Sequence, residues 1–198
     1  MNRPRIDVPL LASELDVDWS RARSELRSLY AELDERLAVR TKGLDLPCHR
    51  GCSACCHESV FVTPLEFLYV WEWAQENLDA ETLESMIDRG LELYAEHRDR
   101  IEALETAPQE EHDAIARELR FTCPLLGAGG ECRVYPVREL YARLFGCSFN
   151  DAGGVYGCHL VGAHLADKTV TLPGVRPWAK RLASQPLTFK RQVYPFWI

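Results

Sequence analysis

Four cysteines within nine residues, Cys48, Cys52, Cys55 and Cys56 in the spacing C-x3-C-x2-C-C, constrain this chain more than any other feature. Thiols used only for packing fall singly on helix or strand faces, so a run this dense needs another explanation. Pro47 precedes the run and Gly51 lies inside it, which lets the backbone bend until thiols two to four positions apart converge. Crowded thiolates repel one another unless a cation neutralises them. Zinc takes four thiolate or imidazole ligands, and an iron-sulfur cluster takes typically four cysteines. Cys123, Cys132, Cys147 and Cys158 follow at wider spacing, so the eight cysteines supply either two four-ligand sites or one site with spare thiols. His49, Arg50 and His57 flank the run; a histidine could replace one cysteine or serve only as a neighbour. The competing reading is a vicinal Cys55-Cys56 disulfide or simply buried thiols.

A chain of 198 residues buries enough surface to fold without staples, so the cysteines are not needed for that alone. The net charge of −7, from 23 basic and 30 acidic residues, argues against general attraction to nucleic acid or an anionic membrane. Residues 168–198 carry six basic side chains and no acidic one, leaving 17 basic against 30 acidic, or −13, in the first 167. The amino terminus is broken by charges and prolines before a signal-peptide core develops, and no apolar run is long enough to span a membrane. A cytoplasmic location is expected. In that reducing compartment clustered cysteines point to metal or catalysis rather than disulfides.

Periodicity predicts a helix over 18–40, with Ala22, Leu26, Leu29, Tyr30, Leu33 and Leu37 on one stripe, Asp18 or Ser20 as cap and Gly43 at the end. Thr63-Pro64-Leu65-Glu66 reads as a capping box launching a helix to about Asn77. Within it Trp71 and Trp73 cannot share a face, so one belongs to the core and the other to a surface or interface. Asp79 caps a helix to about Leu104 and Pro108 opens another to about Arg120, with His97 and His112 read as exposed bystanders. Gly127-Ala128-Gly129-Gly130 is a turn without the lysine of a phosphate loop. Val137 to Phe145 suits a short helix, and Val155 to Leu160 with Thr169 to Leu172 suit short strands. Trp178, Phe189, Tyr194, Phe196 and Trp197 accompany the basic run of the carboxy-terminal stretch. That stretch either docks on the acidic body or meets a protein partner; docking is the favoured expectation.

The C-x3-C-x2-C spacing also occurs in radical S-adenosylmethionine enzymes, but Ala54 stands where they carry an aromatic residue and the helical pattern here lacks their strand-helix repeats. The pattern from Cys48 to Cys158 resembles instead the YkgJ-type cysteine-cluster family, a zinc- or iron-chelating domain to which the flagellin lysine methylase group is also similar. The likeness rests on Cys48-His49-Arg50-Gly51-Cys52-Ser53-Ala54-Cys55-Cys56, on Cys123-Pro124-Leu125, and on Cys132-Arg133-Val134-Tyr135-Pro136-Val137-Arg138. The family continues R-P-x-x-C-R, whereas Ala142 stands here at the family's cysteine, with Cys147 or Cys158 available to compensate.

These readings combine into one expected domain over 1–198, mainly α with small irregular β elements, a helical body around a metal-binding, cysteine-rich centre. It comprises a helix over 18–40, a cysteine region over 48–158 and a basic aromatic tail over 174–198. The expected ligands are a subset of Cys48, Cys52, Cys55, Cys56, Cys123, Cys132 and Cys147, holding an iron-sulfur cluster or zinc, with Arg138 and Arg143 as cations beside the thiolates. Redox or group-transfer chemistry at the metal is one expectation. A structural zinc module supporting a protein interaction is the alternative. No serine-histidine-acid set, H-E-x-x-H helix or dinucleotide loop names a reaction.

Overall fold

Asp18 begins the longest apolar stripe by accepting the Arg21 N–H at 3.0 Å on its carboxylate, which starts a helix over Trp19–Thr41. The computed structural model describes residues 5–48, 51–108 and 111–198. That helix, α2, buries Trp19, Ala22, Leu26, Leu29, Tyr30, Leu33 and Leu37, the expected stripe with one aromatic added. A shorter helix not foreseen from the sequence, α1 over Val8–Glu14, packs Val8 and Ala12 against it. Asp7 caps α1 by accepting from Leu10 N.

Thr63 and Glu66 form both halves of the capping box, and α3 runs over Pro64–Asn77 as expected. Trp71 lies in the core stacked on Phe67 at 5.6 Å, while Trp73 packs partly buried at the margin. Asp79 caps α4, over Ala80–Thr106, whose backbone is non-helical at His97. That histidine is not a bystander: it is half-buried and stacks on Phe121 at 5.9 Å. His112 is likewise half-buried, stacked on Phe61 at 6.2 Å with Nε2 3.1 Å from the Ala107 carbonyl. It begins α5, over His112–Glu118; the expected start at Pro108 abuts residues 109 and 110, outside the described set.

The helix expected over Val137 to Phe145 is broken. A 3₁₀ turn spans Tyr135–Val137, Arg138 and Glu139 are extended, and α6 covers only Leu140–Leu144. Tertiary bonds explain the break: the Arg143 guanidinium takes the carbonyls of Arg138 and Pro136 at 2.7 and 2.8 Å, and Tyr194 Oη donates to the Glu139 carboxylate at 2.7 Å. The expected strand over Val155 to Leu160 shortens to Val155–Tyr156, because the helix α7 over His159–Leu165 begins directly after Cys158. Numbering strands along the chain as β1 (Phe61–Val62), β2 (Ser148–Phe149), β3 (Val155–Tyr156) and β4 (Gln192–Val193), β2 pairs with β3 and β1 with β4, both antiparallel. Thr169 to Leu172 forms no strand; Phe149 N bonds instead to the Pro173 carbonyl at 2.9 Å. The protein is thus mainly helical with small antiparallel strands, as expected.

The carboxy-terminal stretch folds onto the body. Its helices α8 (Val175–Ala183) and α9 (Tyr194–Trp197) bury Trp178, Leu182 and Tyr194, while Phe189 stays 78% exposed. Arg181 grips Glu32 through both guanidinium nitrogens at 2.8 and 2.7 Å, Lys190 pairs with Glu105, and Arg191 lies over the Tyr141 ring at 4.1 Å. The basic stretch therefore meets the acidic body, although such exposed pairs contribute little each. No helix among the described residues is long and apolar enough to cross a membrane.

Candidate metal centre

Gly51, with φ +91°, turns the chain into Cys52, after which a 3₁₀ turn over Ala54–His57 sets Cys55 and Cys56 side by side. The second block reaches this turn through the backbone, with Cys123 N donating to the Cys56 carbonyl at 2.7 Å. A bridge between Leu126 and Cys132 then folds the chain back over the Gly127 to Gly130 turn, and a Cβ on Gly130 would lie 3.2 Å from the Gly51 carbonyl. The two blocks meet despite the residues between them.

Cys147 and Cys158 flank the hairpin of β2 and β3, at its base. Gly146 N donates to the Tyr156 carbonyl at 2.7 Å, and a Cβ on Gly157 would sit 3.0 Å from the Gly146 Cα. Gly146 has φ +82°, and a Cβ there would lie 2.8 Å from the Cys48 sulfur. Glycine thus permits three chain segments to close around one point. Cys48, Cys52, Cys55, Cys147 and Cys158 line a cavity of about 370 Å³, with Arg138, Tyr135, Phe145 and Ala142 on its walls. Ala142 therefore faces the same space as Cys147 and Cys158.

All eight cysteines are free. Cys158, absent from the expected ligands, belongs beside Cys48. Its signal in the sequence is the pair Gly146-Cys147 and Gly157-Cys158 flanking a hairpin, a spacing that resolves only once the hairpin is known. Arg138 and Arg143 part company. Arg138 lines the cavity, lies 4.3 Å over the Tyr135 ring, and its buried Nε has no hydrogen-bond partner among the described residues. Arg143 turns away from the thiols into a buried clamp, its third contact being Asp34 at 2.5 Å, and its role is to hold the Arg138 segment. His57 is exposed and bonds to Thr122 at 3.3 Å, whereas His49 and Arg50 lie outside the described residues.

Electrostatics divide the thiols by acidity. The hydrogen bond from Cys56 and, secondarily, the positive charge of Arg138 push Cys55 down to about 7, while Cys56 goes up. Burial, reinforced by neighbouring thiols, pushes Cys48 up to about 11, and burial with Glu139 nearby does the same to Cys132. Burial also raises Cys123, Cys147 and the Glu139 carboxyl. Because ionisation is gained as pH rises through the pKa, metal-free protein should alkylate at Cys55 with a midpoint near pH 7, below the ordinary thiol value of about 8.5. Arg138→Met should move that midpoint upward. Peptide mass spectrometry after brief iodoacetamide pulses across pH reads both, and a wild-type midpoint at or above about 8.5 would contradict the assignment.

Among the described residues, no three His, Cys, Asp or Glu side chains stand together in a geometry that would hold a metal ion, so ligation requires the thiols to rotate from this arrangement. The donor chemistry nevertheless fits a soft metal: eight free thiols from separate segments, a cation beside them and no disulfide. No family model, no curated protein and no solved structure matches the chain.

Proposed function

We propose that the chain is a thiolate metal-binding protein of the YkgJ type, holding an iron-sulfur cluster or zinc on its cysteines and using the open side of the centre for redox or group-transfer chemistry. The observation that carries this reading is convergence: cysteines from separate stretches of chain meet at one cavity rather than being dispersed through the core. Cys48, Cys52, Cys55, Cys56, Cys123, Cys132 and Cys147 are the donors, with Cys158 added. A bound cluster would supply electron exchange, and a bound zinc would polarise an oxygen ligand.

The chain's own contribution is electrostatic and steric. Arg138 favours ionised Cys55 and opposes the mutual repulsion of the thiolates. Arg143 holds the backbone of Arg138 in place from behind. Tyr135, Phe145 and Leu46 shape a cavity large enough for a small molecule beside the sulfurs. Cys147 and Cys158 take the place of the family cysteine that Ala142 replaces. The reducing cytoplasm is the proposed location, since it keeps thiols free for metal.

A second reading, a structural zinc module bracing an interaction surface, is favoured by one observation: Cys56 is buried, and Cys123 and Cys132 pack against the main core. Protein purified without oxygen separates the two by its metal content and visible spectrum. Iron with acid-labile sulfide and visible absorption is the expected result for the leading reading. Colourless protein with stoichiometric zinc and no reactivity at the cavity supports the module. Protein that holds neither metal, even after reconstitution, overturns both.

A further inference from the structure

We propose that the groove between α6, α8, the hairpin of β2 and β3, and the start of β1 is a second binding site, separate from the thiols, for a small aromatic monocarboxylate. The carboxylate meets Arg191, and the ring lies among Tyr141, Phe145 and Tyr156. The groove encloses about 680 Å³, within the range usual for small-molecule sites.

The site is built around Arg191, which lines the groove. Three other cations of the carboxy-terminal stretch have acidic partners: Arg176 with Asp151 at 3.8 Å, Arg181 with Glu32 at 2.7 Å, and Lys190 with Glu105. Among the described residues Arg191 has no such partner. Its guanidinium lies 4.1 Å from the centre of the Tyr141 ring and 5.8 Å from that of Phe61, with Nη1 donating to Tyr141 Oη at 2.9 Å. The enclosed Nε has no hydrogen-bond partner among the described residues. Two rings and one phenol thus fix the position of this half-buried cation without neutralising it. A planar fork held in this way, with N–H groups to spare, is matched by a carboxylate.

The rest of the lining sets the body and the charge of the ligand. Tyr156, on β3, meets the Tyr141 and Phe145 rings edge-on, with centroids 6.3 and 5.3 Å away and planes at 74° and 83°. Ring planes near right angles offer a flat ligand one face to stack on and another to meet by its edge, the two arrangements that aromatic pairs favour. Glu58 and Asp151 also line the groove, so their two charges cancel those of Arg176 and Arg191. A single negative charge beside Arg191 completes a pair. A second charge, as on a phosphate, would face those two carboxylates with no cation of its own. Phe145 lines the thiol cavity as well, so one ring separates the two sites.

Calorimetric titration of the full-length protein with naphthoate, naphthylmethanol and naphthyl phosphate tests this. Naphthoate should bind about tenfold more tightly than either the neutral alcohol or the phosphate, because it alone gains a charge-assisted pair without repulsion. Arg191→Met keeps the length of the side chain; it should weaken naphthoate about tenfold and leave naphthylmethanol unchanged, a split that loss of a mere brace would not produce. Asp151→Asn removes one facing charge and should narrow the disadvantage of the phosphate. If Arg191→Met does not fold by circular dichroism, the wild-type order and Asp151→Asn decide. Equal affinity for naphthoate and the alcohol, tighter binding of the phosphate, or unchanged naphthoate affinity in folded Arg191→Met would each overturn the proposal, as would no binding of any probe. None of these outcomes depends on metal content, so the site stands or falls apart from the metal-binding reading.

Discussion

Protein truncated after Pro173 should fail to fold cooperatively. The lost segment buries Trp178, Leu182, Leu187, Val193 and Tyr194, each no more than 7% exposed. At about 1.5–3 kcal/mol for each large apolar side chain, the loss is on the order of 10 kcal/mol, comparable to the whole stability of an ordinary domain. Polar ties go with it. Gln192 Nε2 donates to the Ile101 carbonyl at 2.9 Å, and Tyr194 Oη to Glu139 at 2.7 Å, and both bonds are lost with the segment. A thermal melt by circular dichroism should show no sharp transition, and a hydrophobic dye should bind the truncated chain. A melt indistinguishable from that of the full chain would mean that these contacts contribute nothing.

Glu66→Ala should be the most damaging single substitution away from the cysteines. Its carboxylate is 1% exposed and serves four donors: Tyr30 Oη at 2.8 Å and Leu140 N at 2.9 Å on one oxygen, Thr63 N and Thr63 Oγ1 at 2.9 Å on the other. These join α2, the start of α3 and the start of α6. Removing the acceptor strands several buried donors at about 1–3 kcal/mol each, non-additively, and deletes half of the capping box. A total near 4 kcal/mol is expected, which lowers Tm by roughly 10–15 °C for a chain of this size. Glu66→Gln keeps one acceptor oxygen and should lose about half as much. A Tm drop below about 3 °C for Glu66→Ala would show that the donors find water instead.

The parts of this architecture visible in the sequence are those whose cause is local. Asp18, the Thr63 to Glu66 box and Asp79 each act on backbone within three residues, and the helices they start lie where expected. The first cysteine run is likewise local, and its loop carries its own bending residues. What escaped detection depends on distant partners. Glu66 is legible as a cap, but its bonds to Tyr30 and Leu140 lie 36 and 74 residues away. The helix expected over Val137 to Phe145 breaks because Arg143 and Tyr194 need the Arg138 carbonyl and the Glu139 carboxylate, a demand that helix periodicity does not record. Cys158 joins Cys48 only through a hairpin of two-residue strands, too short to announce itself by alternation. Arg143, expected with Arg138 as a cation beside the thiolates, is instead consumed by carbonyls and Asp34.

The pairing of β1 with β4 also sets an order of events. Trp197 Nε1 donates to the Val62 carbonyl across 135 residues, and the strand that begins five residues after Cys56 has no partner until Gln192 and Val193 exist. A chain growing from its amino end exposes Cys48, Cys52, Cys55 and Cys56 early and receives the elements that enclose them late. Contacts so far apart form slowly, because their closure entropy is lost before any reward arrives. The vicinal thiols thus stay an open, oxidisable pair until Cys123 and the segments after it have been made, although the loop that carries them is among the first parts of the chain to appear.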